Sequence, residues 1–394
     1  HRDLHSFPTR RSSDLLGDSQ PSPLRDVVQT SRSSGGAFLT DPDTTLSGLR
    51  VNPLAYAPRL HLAPMQDVSV LALWRCLERR GAPDVYVTEF FRVHRESRPE
   101  RGIMRSIVDF ETKRPVIAQM IGNEPADLVR TARYLEDHTP CAGIDVNLGC
   151  PSPTVCGKTA GGALLRQPDL IRRIAEALRP AVRGSLTLKT RIGFESPDEF
   201  EALLALFESL PLDGLAIHGR TVRERYQSDV HADAIAAAVA RLPYPVVANG
   251  SIVSARTALA MHARTGAAGL MLGRGAIRDP WVFAETRAAF AGETPRRPTL
   301  RDLRDYLAEL TEEVSREGRF PRELDHVNRL KKFANYIASG LAGGQLREEL
   351  RRATTLTEFQ QSCQNHLDRD DEFPAEPEED GTLFCGFGEL VAGS

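Results

Sequence analysis

The feature that most constrains this chain is a repeat in which short β-rich runs alternate with amphipathic helical stretches. Helical patterns follow nearly all of the runs, from Val70–Arg80 to Pro280–Phe290. Eight strands that alternate with helices predict a parallel (β/α)₈ barrel, the TIM-barrel fold, within the α/β class. An open doubly wound sheet is disfavoured, because no G-x-G-x-x-G follows the first run. The eight runs are Arg59–Ala63, Val85–Thr88, Val116–Met120, Ala142–Asn147, Leu186–Thr190, Gly214–His218, Val246–Asn249 and Gly269–Gly273.

The repeat also divides the chain into segments. We predict a barrel over residues 58–294 and, over residues 298–367, a C-terminal all-helical domain, since helical patterns continue there without β-rich runs. Residues 16–57, rich in Ser, Thr, Gly, Asp and Pro, predict a flexible lead-in. Residues 368–394 predict a solvated acidic tail. Residues 1–15 resemble a translated sequencing-adapter oligonucleotide, and we set them aside as an assembly artefact.

Charge is distributed unevenly along the chain. The net charge is −3, but residues 368–380 contain eight acids and one Arg, which leaves the rest of the chain at +4. A mildly basic protein is compatible with a nucleic-acid partner. The predicted helical domain contains a cluster of basic residues, which could bind nucleic acid or could only form a solvated helix face. The cluster consists of Arg322, Arg329, Lys331, Lys332, Arg347, Arg351 and Arg352.

The cellular setting is predicted from composition. Hydrophobic and charged residues make up 41% and 26% of the chain, as in globular proteins that stay in solution. The sequence contains no apolar run of about 18 residues, so no membrane span is predicted. The N-terminal residues lack the layout of a signal peptide. The six cysteines form no close C-x-x-C pair, so we expect free thiols and a cytoplasmic location.

Polar or glycine-rich groups follow almost every predicted strand. In barrels of this kind the functional groups lie at the C-terminal ends of the strands. These groups therefore predict a site at one mouth of the barrel. In chain order they are Pro64, Met65, Gln66, Glu89, Phe90, Gln119, Asn147, Cys150, Lys189, Arg191, His218, Gly219, Arg220, Asn249, Gly250, Gly273 and Arg274.

The last two strand ends suggest a phosphate site. Asn249-Gly250-Ser251 and Gly273-Arg274-Gly275 are glycine-rich turns where such barrels commonly bind phosphate, so a cofactor such as FMN would fit. The alternative is that the glycines only make tight turns. At the third and fifth strand ends, Gln119 could pair with a flavin pyrimidine edge and Lys189 could stabilise negative charge on the ring. Either side chain alone is more often a solvated strand end.

Cys150 follows the fourth predicted strand within a turn constrained by Gly and Pro. Its thiol could be a nucleophile, a metal ligand or a proton donor. A metal site is disfavoured, because Cys156 is six residues away and no His lies in the loop. A Cys–His nucleophile with His218 lacks a peptidase-like signature. A proton donor is compatible with reduction of an activated C=C bond, which leaves a carbanion that must be protonated.

Together these motifs resemble one family, the tRNA-dihydrouridine synthases. The Asn-x-Gly-Cys-Pro element and His-Gly-Arg-Thr are the most specific, and the helical segment with Arg329-Leu-Lys-Lys332 is similar more loosely. The matching segments are Leu62–Met65, Thr88–Phe90, Gln119 with Gly122, Asp145–Pro151, Gly161–Leu165, Lys189–Gly193, Ile217–Thr221, Val247–Gly250 and Leu272–Ala276.

The resemblance implies tightly bound FMN, NADPH as reductant and specific uridines of tRNA as substrate. Flavin N5 would deliver hydride to C6 of uracil, Cys150 would protonate C5, and Asn147 and Arg191 would hold the base after it leaves its stack. The helical domain and barrel rim would bind the tRNA backbone, and we expect a monomer. The residues implied at the flavin are Pro64, Met65, Gln66, Gln119, Lys189, His218, Asn249, Gly250, Ser251, Gly273 and Arg274.

One residue departs from the family pattern, and two other functions remain as alternatives. Ser251 stands where many relatives have an acid, which implies a weaker or backbone-only contact with the ribityl chain. One alternative is a flavin barrel acting on a free pyrimidine, as a dihydroorotate dehydrogenase does. Another is a non-catalytic RNA-binding relative, against which the intact Cys150, Lys189 and His218 argue.

Overall fold

The computed structural model describes residues 57–318, 320–341, 343–380 and 383–392. The predicted adapter artefact and nearly all of the predicted lead-in therefore lie outside the described residues. Within the described part, nine β-strands form one parallel sheet. They are β1 Arg59–Leu62, β2 Val85–Val87, β3 Phe91–Arg92, β4 Val116–Ile121, β5 Gly143–Leu148, β6 Ser185–Arg191, β7 Gly214–His218, β8 Val246–Asn249 and β9 Gly269–Leu272.

The sheet closes into a barrel of eight staves. Strand β1 pairs with β9 on one side and β2 on the other, and parallel pairing continues from β2 through β4 to β9. The short β3 pairs only with the end of β4, whose start pairs with β2, so β2 and β3 form one stave interrupted at Thr88–Phe90. The predicted (β/α)₈ barrel is confirmed, with β3 as an addition that the sequence pattern did not indicate.

Helices surround the barrel and continue beyond it. The helical stretches predicted after the β-rich runs are present, with ends that differ by a few residues, whereas the helices over Arg101–Val108, Pro153–Cys156 and Arg274–Arg278 were not predicted. In chain order the helices are α1 Leu71–Glu78, α2 Arg101–Val108, α3 Pro125–His138, α4 Pro153–Cys156, α5 Pro168–Leu178, α6 Phe200–Glu208, α7 Ala232–Arg241, α8 Ala255–Thr265, α9 Arg274–Arg278, α10 Val282–Phe290, α11 Leu300–Glu317, α12 Glu323–Ile337, α13 Gln345–Arg352, α14 Leu356–Leu367 and α15 Gly388–Ala392. None of them is long and apolar enough to cross a bilayer.

Start and stop signals in the sequence explain several of these boundaries. Pro125 and Pro168 occupy the first turns of α3 and α5, where the missing N–H costs no hydrogen bond. Ser254 caps α8 by accepting a hydrogen bond from the N–H of Thr257, and Gly266 ends that helix in the left-handed conformation, with φ of 63°. Local sequence therefore determines where these helices begin and end.

The C-terminal helices pack directly on the barrel. Helix α11 lies against α1, where Glu313 is buried and accepts from Arg79 Nη2 at 2.9 Å. Beside this pair, Arg80 Nη2 is 2.6 Å from Glu309 Oε2, and its guanidinium carbon lies 5.0 Å from the centre of the Tyr306 ring. This junction combines ion pairs with buried apolar surface, so it fixes the first C-terminal helix relative to the barrel.

The segment predicted as a solvated acidic tail is instead packed against the barrel, which corrects that expectation. Phe373, Phe384 and Phe387 are buried. Glu376 accepts from Ser254 Oγ at 2.7 Å and from Arg256 Nε at 2.9 Å. An acidic residue of this segment therefore bonds to the N-cap residue of α8. The prediction was wrong because it was based on charge, whereas the apolar residues between the acids are what this segment buries.

Candidate active site

A chain of buried polar side chains crosses the barrel interior. Asp145 on β5 accepts from Gln119 Nε2 on β4 at 2.8 Å and from Thr187 Oγ1 on β6 at 2.7 Å. Gln119 Oε1 in turn accepts from Asn147 Nδ2 at 2.9 Å. Burial raises the pKa of the Asp145 carboxyl to about 6. Asp145 was not among the predicted site residues, although its place two residues before Asn147 puts both side chains on the same side of β5.

The turn that carries Cys150 is held by Asn147. Asn147 Oδ1 accepts from the backbone N–H groups of Gly149 at 3.0 Å and Cys150 at 2.9 Å. Gly161, with φ of 59°, packs so closely that a Cβ there would lie 3.0 Å from the Cβ of Cys150. The half-buried thiol is in a small apolar cluster, and burial raises its pKa. The thiol is therefore protonated at neutral pH, as a proton donor must be.

Lys189 lies at the end of β6 and bonds to the end of β8. Its Nζ donates to Asn249 Oδ1 at 3.0 Å, and Asn249 Nδ2 donates to the carbonyl of Met271 on β9 at 2.8 Å. Burial lowers the pKa of Lys189 to about 8, with the neighbouring Arg191 adding to the effect. The amine is still mainly cationic at pH 7, so these strand ends present a positive charge to the barrel mouth.

Arg191 is buried and is occupied by backbone carbonyls. Its Nε donates to Gly149 O at 2.9 Å, and its Nη1 donates to Thr221 O and Arg225 O, each at 2.7 Å. The guanidinium therefore joins the turn of Cys150 to the loop after β7. Its predicted contact with uracil stays a prediction, as does that of Asn147.

A cluster of cations surrounds His218 at the end of β7. The ring is buried, and its Nδ1 has no hydrogen-bond partner among the described residues. Burial lowers its pKa well below 6.5, and the nearby charges of Lys189, Arg191, Arg220 and Arg274 lower it further, so the imidazole is neutral. Four cations around one neutral ring favour an anionic ligand at this mouth.

The loop after β8 contains two consecutive residues with positive φ. Gly250 and Ser251 have φ of 125° and 52°, and the left-handed conformation is uncommon for a residue with a side chain. Ser251 Oγ accepts from Arg220 Nη2 at 2.7 Å. Arg220 is fully buried, and its Nη1 has no partner in the described part of the chain. A buried cation with an unmet donor fits a phosphate, so these residues suit the predicted cofactor.

The loop after β9 faces the C-terminal segment. Gly273 follows β9, and Arg274 begins α9. Arg274 Nη1 donates to the carbonyl of Leu383, and its guanidinium carbon lies 4.8 Å from the centre of the Tyr226 ring. Sequence reasoning placed Arg220 at a strand end but gave it no role, and it missed Tyr226 and the C-terminal contact. The signal for Arg220 was the His-Gly-Arg-Thr element.

The loop after β1 joins the predicted flavin residues to the C-terminal helices. Pro64, Met65 and Gln66 lead into Asp67, whose φ of 65° is left-handed and whose N–H donates to the carboxylate of Glu89. Burial raises the pKa of Glu89 to about 7. Asp67 Oδ2 lies 3.1 Å from Lys332 Nζ on α12. This loop therefore lies between the barrel and the helices.

The predicted site residues come from eight strand ends, and the structure brings them to one mouth of the barrel. Among the described residues, no group of three or more His, Cys, Asp or Glu is placed to hold a metal ion. The site therefore offers a protonated thiol, a fixed amide, a neutral imidazole and several cations. Such a set can bind an anionic cofactor and donate a proton to a neighbouring substrate.

Comparison with known proteins identifies close likenesses. A family model described as dihydrouridine synthase (Dus) matches residues 61–371. The tRNA-dihydrouridine synthase B of Xanthomonas axonopodis pv. citri is 34% identical over 261 residues, which cover 66% of this chain and 78% of that protein. The same-named protein of Pseudomonas aeruginosa is 36% identical over 61% of this chain and 72% of that protein. The tRNA-dihydrouridine(16) synthase of Cupriavidus necator is 31% identical over 69% of this chain and 88% of that protein.

Proposed function

The chain belongs to the dihydrouridine synthase family, and from this premise we propose that it reduces the C5=C6 bond of specific uridines in tRNA to 5,6-dihydrouridine. We propose FMN as the tightly bound cofactor and NADPH as the reductant. The observation that carries the proposal is the polar chain from Asp145 through Gln119 and Asn147 to the N–H of Cys150, which holds a protonated thiol at the barrel mouth.

FMN is supported by the chemistry of the residues at the strand ends. When bound, it would supply the hydride for C6 of the uracil. Lys189 would place its positive charge near the isoalloxazine ring, Gln119 would face the pyrimidine edge, and Arg220 would complete its hydrogen bonds with the phosphate. The residues proposed to hold the cofactor are Pro64, Met65, Gln66, Gln119, Lys189, His218, Asn249, Gly250, Ser251, Gly273 and Arg274.

Cys150 is proposed to donate the proton to C5 of the uracil. Burial raises the pKa of its thiol, which keeps the proton in place until a stronger base appears. Asn147 fixes the backbone of the turn, so the thiol does not need to be ordered when substrate binds. The carbanion left at C5 by addition at C6 is such a base, and the thiol would protonate it.

Arg191 is proposed to act near the base through the loops that it joins. Its hydrogen bonds to Gly149 O and Thr221 O keep the two loops together. A buried guanidinium in this place also adds positive field next to the carbonyl oxygens of a bound uracil. Asn147, which has a second N–H on Nδ2, would contact the same base.

We propose that the helices over residues 298–367, together with the barrel rim, bind the tRNA backbone. Arg351 and Arg352 on α13 are exposed, as phosphate contacts require, whereas Arg329 and Lys332 on α12 are half-buried and contact Asp67 in the loop after β1. The target uridine would leave its stack to reach the barrel mouth. A free pyrimidine would have no use for such helices, so they argue against the alternative substrate. We also propose that the protein works as a monomer in the cytoplasm.

The test is reduction of tRNA by the purified protein. We expect a yellow protein that oxidises NADPH only when tRNA lacking dihydrouridine is present, with dihydrouridine then detected in the digested tRNA. Mapping dihydrouridine in tRNA from cells with and without the gene identifies the position. A colourless protein that takes up no flavin would contradict the proposal. NADPH oxidation coupled to a free pyrimidine instead of tRNA would support the alternative.

A further inference from the structure

We propose that the C-terminal segment Leu383–Phe387, which we name the strap, completes the phosphate end of the flavin site by holding the guanidinium groups of Arg220 and Arg274 in position. The inference rests on the proposed function, because it concerns the same flavin. It assigns a role in cofactor binding to part of residues 368–394, which the sequence predicted to be a solvated acidic tail.

The strap contacts both arginines through its backbone carbonyls. The carbonyl of Cys385 accepts from Arg220 Nη2 and from Ser251 Oγ, each at 3.2 Å. The carbonyl of Leu383 accepts from Arg274 Nη1. These three side chains come from the loops after β7, β8 and β9, and the last two of these loops form the predicted phosphate site. The strap therefore touches the cofactor site at the strand ends and not at the outer surface of the barrel.

The strap orients these guanidinium groups without using all of their donors. A guanidinium has five N–H groups. Arg220 Nε donates to Ser228 O at 2.6 Å, and Nη2 donates to Ser251 Oγ and to the strap. Within the described residues, the buried Nη1 of Arg220 has no hydrogen-bond partner. Nη1 is therefore the donor whose hydrogen bond a phosphate oxygen would supply when the cofactor is bound.

The strap is held in place by buried aromatic side chains and by backbone hydrogen bonds. Phe384 and Phe387 are buried in a cluster with Val253. Just before the strap, the carboxylate of Asp380 accepts from the N–H groups of Leu383 at 2.6 Å and Phe384 at 3.3 Å. Gly386 has φ of 66°, and a Cβ there would lie 2.6 Å from Ser228 O. No larger residue fits at that position without moving the strap.

The strap also fixes the loop after β7. Cys385 Sγ donates to the carbonyl of Tyr226 at 2.5 Å. The central guanidinium carbons of Arg191 and Arg274 lie 5.1 and 4.8 Å from the centre of the Tyr226 ring. Removing the strap would therefore free Arg274 and the loop together. Both changes would lower the affinity for a phosphate at this end.

The test compares flavin affinity between chains that differ in the strap. One chain ends at Asp380 and lacks it, a control chain ends at Phe387 and keeps it, and Gly386→Val displaces it in the full chain. Dissociation constants for FMN and for riboflavin, which lacks the phosphate, are measured by quenching of flavin fluorescence in apoprotein. Circular dichroism and thermal unfolding establish that each chain is folded.

We expect the chain ending at Asp380 and the Gly386→Val chain to bind FMN at least about tenfold more weakly than the full chain. Their affinity for riboflavin, and the affinity of the chain ending at Phe387 for FMN, should stay unchanged. Equal FMN affinity in all chains would overturn the inference. Tighter FMN binding without the strap would make it a blocking segment, and an equal loss for riboflavin would make its role a general structural one. If the full chain binds no flavin at all, the proposed function fails as well.

Discussion

The side chain of Asn147 joins the centre of the barrel to the turn that carries Cys150. Its Nδ2 donates to Gln119 Oε1 at 2.9 Å, and its Oδ1 accepts from the N–H of Cys150 at 2.9 Å. One amide therefore orients a residue proposed for the flavin and the residue proposed for the proton. This one side chain therefore positions the residues proposed for hydride transfer and for proton transfer relative to each other.

Replacing Asn147 should separate its two roles. Asn147→Ala leaves the N–H groups of Gly149 and Cys150 without an acceptor, so we expect about 1–3 kcal/mol less stability and a large loss of dihydrouridine formation. Asn147→Asp keeps an acceptor for both N–H groups and should retain more stability than Asn147→Ala. Urea unfolding and dihydrouridine analysis measure the two effects. Equal stability of Asn147→Ala and wild type would contradict the role of this amide in holding the turn.

Cys150→Ala should keep bound FMN and lose most dihydrouridine formation, because the alanine has no proton to donate. Loss of a general acid typically lowers a rate by about 10²–10⁴-fold. Cys156→Ala is the matched control, since its thiol lies in the same loop, donates to the carbonyl of Cys150 at 3.4 Å and has no proposed role in the reaction. Single-turnover kinetics with reduced enzyme and tRNA check both variants. Full activity in Cys150→Ala would remove this thiol from the mechanism.

The barrel could be predicted from sequence because its signals are local. Each β-rich run and each helix start is encoded within a few residues, as Pro168 and Ser254 illustrate. The interruption at Thr88–Phe90 could not be predicted, because it depends on pairing of β2 and β3 with different parts of β4. Periodicity alone does not contain such long-range pairing.

The site was predicted unevenly for the same reason. Residues at strand ends, such as Gln119 and Lys189, could be assigned to the mouth because the barrel rule places all strand ends together. The groups to which the side chains at the mouth are hydrogen-bonded could not be predicted. Arg191 bonds to carbonyls in two loops, and Arg274 to a carbonyl 109 residues away. A charged side chain in a sequence does not indicate whether it will meet a ligand or its own backbone.

Glu89 should make the protein less stable as pH rises from about 4.5 to about 7. Burial raises its pKa from 4.5 to about 7, so in this window the folded state binds more protons than the unfolded state. Stability therefore falls as pH rises, by up to about 3 kcal/mol for this group. Glu89→Gln lacks this titration. Urea unfolding at pH 5 and pH 8 should show that the variant gains stability relative to wild type at pH 8. The same difference in free energy of unfolding between variant and wild type at both pH values would contradict this prediction.

The affinity for reduced FMN should fall as pH rises above about 8, because Lys189 then loses the positive charge proposed to stabilise the negatively charged ring. Its pKa is lowered to about 8, so the amine is mostly protonated at pH 7 and mostly neutral at pH 9. We expect a loss of about tenfold in affinity over this range. Lys189→Gln should bind reduced FMN weakly and with little pH dependence. Anaerobic titrations with reduced FMN at pH 7 and pH 9 compare the two proteins, and parallel pH profiles would exclude Lys189 as the titrating group.

Asp67 should limit the affinity for tRNA by occupying basic residues of α12. Its Oδ2 lies 3.1 Å from Lys332 Nζ, and its backbone carbonyl accepts from Arg329 Nη1 at 2.6 Å. Lys332→Ala removes one phosphate partner, so tRNA should bind more weakly and the slope of log affinity against log salt should decrease by about 1. Asp67→Asn removes the competing carboxylate, so we expect tighter binding at low salt. Filter binding at several salt concentrations measures both slopes. Unchanged tRNA affinity in both variants would mean that this face of α12 does not contact the tRNA backbone.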